Sequence, residues 1–129
     1  MKIALMNEFS QASKNAVVLQ QLKDVAAEQN HTVYNVGMSD DNDHYLTYIH
    51  LGIMASLLLN SKAVDFVVSG CGTGQGALMS LNAHPGVVCG YCIDPSDAPV
   101  RPDQQRQCTG ITLRQGLRLG SGIEHPLYL

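Results

Sequence analysis

Short apolar runs alternate along this chain with longer stretches of helical spacing, and glycine or polar residues separate them. Residues 2–6 form the first apolar run and predict strand one. Ser10 or Ser13 can cap a following helix that runs to about Gln29, with Val17, Val18, Leu22, Val25 and Ala26 as its apolar stripe. Residues 31–37 read as a second strand closed by glycine, and residues 39–44 as a polar loop rich in Asp. Residues 45–60 then predict a strongly apolar helix, with Leu46, Ile49, Ile53, Met54, Leu57 and Leu58 at helical spacing. A third strand over 64–68 leads into a glycine turn over 69–76 and a helix over 77–82. His84-Pro85-Gly86 ends that helix, and residues 87–93 give strand four.

Strands alternating with helices predict parallel pairing, because each crossover is right-handed and lays its helix on a sheet face. The expected fold is therefore α/β: a three-layer αβα, Rossmann-like open parallel sheet. Ligands of such sheets bind beyond the carboxyl ends of the strands. Those ends are here Asn7-Glu8, Gly37-Met38, residues 69–76 and Asp94-Pro95-Ser96-Asp97, so the polar and glycine-rich segments converge on one edge. After Ala98 the character changes. Residues 99–107 are polar and basic, residues 113–120 show no clear period, and all the arginines (Arg101, Arg106, Arg114, Arg118) fall in this last part. The chain thus divides into an α/β core over 1–98 and an atypical tail over 99–129, which leaves the fifth strand in doubt.

Composition narrows the function classes. A chain of 129 residues supports a single core. A net charge of −3 and the absence of a Lys/Arg cluster argue against nucleic acid or an anionic membrane as partner. No apolar run approaches the ~18–20 residues that span a bilayer, and residues 1–6 are too short for a signal peptide. A cytoplasmic location is the expectation. Cys71, Cys89, Cys92 and Cys108 are an even set, but without a secretory signal a disulfide framework is not implied. Cys89-Gly90-Tyr91-Cys92 has the spacing of redox and zinc motifs, yet on a strand the two sulfurs face opposite sides. No second pair stands at the spacing needed to complete four metal ligands.

Ser69-Gly70-Cys71-Gly72-Thr73-Gly74-Gln75-Gly76 is the most informative stretch. Glycines let backbone amides approach a ligand closely, and a helix N-terminus favours negative charge. Such a site can stabilise an enediolate, bind a phosphate or activate a thiol; the plain alternative is a structural turn. Gly72-x-Gly74-x-x-Ala77 formally matches the dinucleotide fingerprint, but that fingerprint belongs in the first βα turn, which lacks glycine here. No Lys follows the glycines, so a Walker motif is absent. Cys71 reads either as a small buried hydrophobe or as a thiolate favoured before a helix. Thr73 reads as a proton relay or a cap, and Glu8 as a surface carboxylate or an acid–base group. His44 and His84 fit loop and cap positions better than metal sites.

Residues 1–5, 45–60 and 63–76, together with Asn82-x-x-Pro85-Gly86-Val87 and residues 94–98, resemble the ribose-5-phosphate isomerase B and galactose-6-phosphate isomerase family. The resemblance covers residues 1–98 and is tight around the Cys-Gly-Thr-Gly-x-Gly motif. It implies a five-stranded Rossmann-like sandwich, a homodimer, and aldose–ketose isomerisation through an enediolate, with neither metal nor cofactor. It assigns the catalytic base to Cys71, proton handling to Thr73, and the anion hole to Gly72, Gly74 and Gly76. Asn7, Glu8 and Asn82 complete the expected substrate-binding set. Typical sugar-phosphate members carry an Asp-His pair after strand one, whereas this chain has Asn7-Glu8 followed by Ser10-Gln11. That marks a divergent branch, for which a uronate-derived sugar is as credible a substrate as a sugar phosphate. The rival reading is a non-catalytic nucleotide- or anion-binding module built on the same turn.

The tail departs from the family, and its sequence carries an explanation. The codons for Pro102-Asp103-Gln104-Gln105-Arg106-Gln107-Cys108, read from the second base, can encode Gln-Ile-Asn-Asn-Gly-Asn-Ala. Residues 114–120, shifted identically, can encode Ala-Lys-Gly-Phe-Gly-Trp-Gly. Both strings resemble the family's sequence at those places, in one frame and in the right order. A shift of reading frame near codons 98 and 99 is therefore expected, and with it a shortened C-terminal part, low stability and weakened activity. The gene tests this: in the shifted frame, the DNA after codon 98 should encode family-like protein.

Overall fold

The computed structural model describes residues 1–39, 46–92 and 110–114, with residues 111–114 described through their backbone alone. Strand β1 (Lys2–Asn7) is buried along nearly its whole length. Its alternate side chains feed two cores: Ala4 and Met6 pack with Leu51, Ala55, Val67, Ala77 and Leu81 on one face. Ile3 and Leu5 pack with Val18, Leu22 and Val68 on the other. A strand covered on both faces reads as a continuous apolar run rather than an alternating one.

Around β1 lie β2 (Thr32–Asn35), β3 (Phe66–Cys71), β4 (Cys89–Cys92) and β5 (Gly110–Arg114), in the order β2-β1-β3-β5-β4. Every pairing is parallel. Ile3 sits beside Phe66 and Asn7 beside Gly70, so β1 and β3 end together. Helix α1 (Asn15–Glu28) lies over the second core, and helices α2 (Tyr48–Asn60) and α3 (Gln75–Asn82) over the first. The layers are those expected from the sequence.

Three details differ from expectation. Gly110–Arg114 does form the fifth strand, between β3 and β4, with Val67 beside Gly110 and Cys92 beside Leu113. A strand flanked on both sides is held by two hydrogen-bond ladders and needs no alternating pattern. A Cβ at position 110 would collide with the Val67 side chain, so the glycine admits the strand. The sheet thus draws on both sides of the 98/99 boundary, while residues 93–109 and 115–129 lie outside the described residues. So do the strand-four end at Asp94-Pro95-Ser96-Asp97, Cys108, and most of the 39–44 loop.

The second difference is at the first helix. Neither Ser10 nor Ser13 caps it; a 3-10 helix (Phe9–Lys14) capped by Glu8 comes first, and α1 starts only at Asn15. Val18, Leu22 and Ala26 face the core, whereas Val17 is exposed. The third is the buried face of α2, which holds Leu51, Gly52 and Ala55. Ile49, Ile53 and Leu57, expected inside, are 58%, 47% and 66% exposed. Cys89 and Cys92 fall in opposite cores, so their sulfurs diverge as the strand geometry requires. Among the described residues no helix is long and apolar enough to cross a membrane.

Candidate active site

From β1 the chain moves outward to β2, and from β3 it moves to the other side of the sheet, so a crevice opens at their carboxyl ends. The backbone N–H of Glu8 donates to the carbonyl of Gly70 at 3.5 Å, which holds the two strand exits together. Cys71 is the last residue of β3 and 7% exposed. Its thiol is free, and its side chain lies on the core face lined by Met6, Ala77 and Leu81.

The turn that follows is shaped by its glycines. Gly74 caps α3 with φ 82°, a left-handed conformation that strains any residue with a Cβ. A Cβ on Gly76 would stand 3.1 Å from Cγ of Tyr48, so the Tyr48 ring lies against the first turn of α3. The N–H of Gln75 donates to Thr73 Oγ1 at 3.3 Å, and the Thr73 side chain is otherwise exposed. From β4, the Tyr91 hydroxyl donates to the Thr73 carbonyl at 2.5 Å. The turn is thus braced by one aromatic on each side. Tyr91→Phe removes the brace without changing shape, and should cost about 1 kcal/mol of stability. Urea unfolding midpoints of the two proteins check this.

Glu8 is 2% exposed, so the surface-carboxylate reading fails. Its carboxylate accepts from the Ser10 N–H at 3.1 Å and from the Ser10 hydroxyl. Asn7 is buried beside it, but its Nδ2 donates to Asn15 Oδ1 at 2.9 Å and its carbonyl accepts from the Met38 N–H at 3.1 Å. That side chain ties β1 to α1. Cys71, Gly72, Thr73, Gly74, Gly76 and Glu8 therefore share the crevice edge, with Asn7 in the wall behind it.

Asn82 does not join them. It ends α3, and both ends of its amide are taken by one residue: Nδ2 donates to the Cys89 carbonyl at 3.0 Å, and Oδ1 accepts from the Cys89 N–H at 2.8 Å. This clamp holds the start of β4, at the opposite end of the strand from the crevice. Asn82→Ala should lower stability by about 2 kcal/mol, since two hydrogen bonds go, and leave any KM unchanged. Paired melting and kinetic measurements check it.

Sequence reading noted Ser10-Gln11 only as a departure from the family pattern and assigned neither them nor Tyr48 and Tyr91 to the site. Gln11 Nε2 donates to Ser10 Oγ at 3.1 Å and lies 3.8 Å from where a Cβ on Gly72 would be. Its place depends on the 3-10 helix, which the sequence pattern does not show. Among the described residues no cluster of three His, Cys, Asp or Glu side chains is placed to hold a metal ion.

A parallel αβα sandwich with a thiol, a left-handed glycine cap and a helix N-terminus at the strand ends defines a class: an open α/β sheet whose crevice lies at the carboxyl ends of its strands. The particular family follows from comparison. A sequence profile of the Ribose/Galactose Isomerase family matches residues 3–111, and the chain belongs to that family. A crystal structure of a ribose-5-phosphate isomerase from Vibrio parahaemolyticus superposes with TM-score 0.89 at 60% identity, covering 97% of this chain and 59% of that one. A 4-deoxy-L-threo-5-hexosulose-uronate ketol-isomerase crystallised with a tartrate gives 0.83 at 41% identity, covering 94% of this chain and 58% of that one. The chain therefore spans about three fifths of each of these relatives. The ribose-5-phosphate isomerase B of Thermotoga maritima shares the fold, with TM-score 0.73 at 19% identity over 96% of this chain and 79% of that one. No curated protein matches the chain.

Proposed function

We propose that this chain is an aldose–ketose isomerase acting on a small open-chain sugar derivative, with Cys71 as the base. The observation that carries the reading is the position of Cys71, which closes β3 directly before the Gly74-capped start of α3. A thiolate there takes the proton from the carbon next to the substrate carbonyl. The electron pair moves into an enediolate, whose oxyanion meets the backbone N–H groups of the turn that runs through Gly72, Gly74 and Gly76. The Cys71 thiol then returns the proton to the neighbouring carbon, while Thr73 carries the proton between the two oxygens. Every step uses groups of this chain, so treatment with a chelator should leave turnover unchanged.

The substrate is a uronate-derived ketose or a sugar phosphate. Family membership and likeness to both a uronate ketol-isomerase and a ribose-5-phosphate isomerase support these two classes. The reading includes the expectation that the altered 99–129 segment lowers activity, so restoring the frame after codon 98 should raise it. It also includes a homodimer. Ile49, Ile53 and Leu57 stand exposed on successive turns of α2, an apolar stripe that a second copy can cover. Ile53→Glu should shift the protein toward monomer in light scattering.

The direct test offers ribose 5-phosphate and 4-deoxy-L-threo-5-hexosulose uronate to the purified chain and follows carbonyl position by NMR. Interconversion of one of them is expected. Failure with both, alongside micromolar binding of a nucleotide, would favour the binding-module reading instead.

A further inference from the structure

Gln11 is a buried polar residue at the crevice with no part in the proposed mechanism. It is 5% exposed, and its Oε1 is buried with no hydrogen-bond partner among the described residues. The orientation of its carboxamide follows from counting donors. The Ser10 hydroxyl has one proton and gives it to the Glu8 carboxylate. Ser10 Oγ can therefore only accept from Gln11, which sets Nε2 on the Ser10 side and leaves Oε1 facing away. Glu8, Ser10 and Gln11 thus form a one-directional chain that fixes the head group.

A buried acceptor left unpaired costs about 1–3 kcal/mol. An apolar side chain of similar length would avoid that cost, so the group calls for a partner. The space beside it points to one. Around the Cβ position of Gly72, apart from its chain neighbours Cys71 and Thr73, Gln11 Nε2 at 3.8 Å is the one atom within 4 Å among the described residues. Gly72 directly follows Cys71, so a ligand atom seated over it meets the carboxamide next to the residue proposed as base. Nε2 keeps a second proton beyond the one given to Ser10, and Oε1 stands beside it on the same carboxamide, so one ligand group can meet both.

We propose that Gln11 is a specificity-determining residue that reads a hydroxyl group of the substrate next to the reacting carbons. This rests on the isomerase reading of the same crevice and adds the substrate feature recognised there. The carboxamide offers one free N–H and one free C=O. A hydroxyl, which both donates and accepts, satisfies both. A carboxylate or phosphate only accepts, so it could take the free N–H but would leave Oε1 without a donor. A hydroxylated carbon beside Gly72 is therefore the substrate feature that satisfies the whole carboxamide.

Tartrate and succinate separate these features, since they share two carboxylates and differ in the two hydroxyls. Titration calorimetry on the full chain should show tartrate binding about fivefold tighter or more, the worth of one net hydrogen bond. Gln11→Met should bring the two ligands within about twofold of each other. Its thermal midpoint in the absence of ligand should be no lower than the parent's, which a structural glutamine would not allow. Gln11→Asn, which keeps the amide but withdraws it by one carbon, should lose the preference too. An equal affinity of the parent for both ligands, or a preference that survives both substitutions, overturns the proposal. So does a Gln11→Met protein that melts well below the parent. Loss of the preference in a protein that turns over no sugar would count against the isomerase reading alone. Turnover without the preference would count against Gln11 alone.

Discussion

Cys71→Ala should lower isomerase turnover by roughly 10²–10⁴-fold while the fold persists. The size follows from the role. Without a positioned base, water must take a proton from carbon, and the amides of the turn then stabilise an enediolate that forms only rarely. That loss corresponds to about 3–5 kcal/mol of barrier. The fold persists because alanine is also small and apolar, and Cys71 contributes one side chain to a core shared with Met6, Val67, Ala77 and Leu81. Circular dichroism and the unfolding midpoint should therefore stay near those of the parent. Cys71→Ser is the sharper variant: it keeps the size and loses the acidity, so it should be nearly as inactive. A Cys71→Ala protein with full turnover would remove the thiol from the chemistry.

Gly37→Ala should lower stability by about 3 kcal/mol. A Cβ at this position would lie 2.8 Å from the Asn7 carbonyl oxygen and 2.8 Å from the Met6 Cα. Both are backbone atoms of a central strand, paired to β2 and β3, and neither can swing aside as a side chain would. The contact is also beside the crevice, because the Gly37 N–H donates to the Leu5 carbonyl at 3.2 Å and the Met38 N–H to the Asn7 carbonyl. Opening it displaces Asn7 and, next to it, the Glu8 carboxylate. Denaturant titration should show the midpoint falling, and any turnover that remains should fall with it. An unchanged midpoint would mean that the edge strand moves freely relative to β1.

What the sequence made legible, and what it hid, divides along physical lines. β1 and β3 and the glycine turn were readable because buried parallel strands are short apolar runs, and because a left-handed cap at Gly74 needs glycine. The face of α2 was not readable. Its residues are apolar almost all round, so no polar side fixes the orientation, and Gly52 rather than Ile53 marks the true contact with α3. A Cβ on Gly52 would press 2.7 Å from the His84 ring and closer still to Ser80, a close approach that no periodicity reveals. The 3-10 helix was hidden because Ser10 looks like a cap, whereas its hydroxyl serves Glu8. With that helix missed, Gln11 could not be placed beside Gly72. Asn82 misled in the opposite way: its family-like motif suggested substrate, and its amide instead closes on the Cys89 backbone. β5 escaped because a strand held on both edges can form from a sequence without alternation.

In the proposed reaction Cys71 moves a proton at the carbon beside a sugar carbonyl. Deuterium wash-in reads that step without requiring net conversion. The parent protein and Cys71→Ala are each incubated in D₂O with ribose 5-phosphate or 4-deoxy-L-threo-5-hexosulose uronate, and deuterium at that carbon is followed by NMR. Enzyme-dependent deuterium incorporation into one of the two sugars is expected for the parent, with loss of at least about 10²-fold of that rate in Cys71→Ala. Exchange that proceeds as fast in Cys71→Ala as in the parent, or none in a folded parent with either sugar, would contradict it.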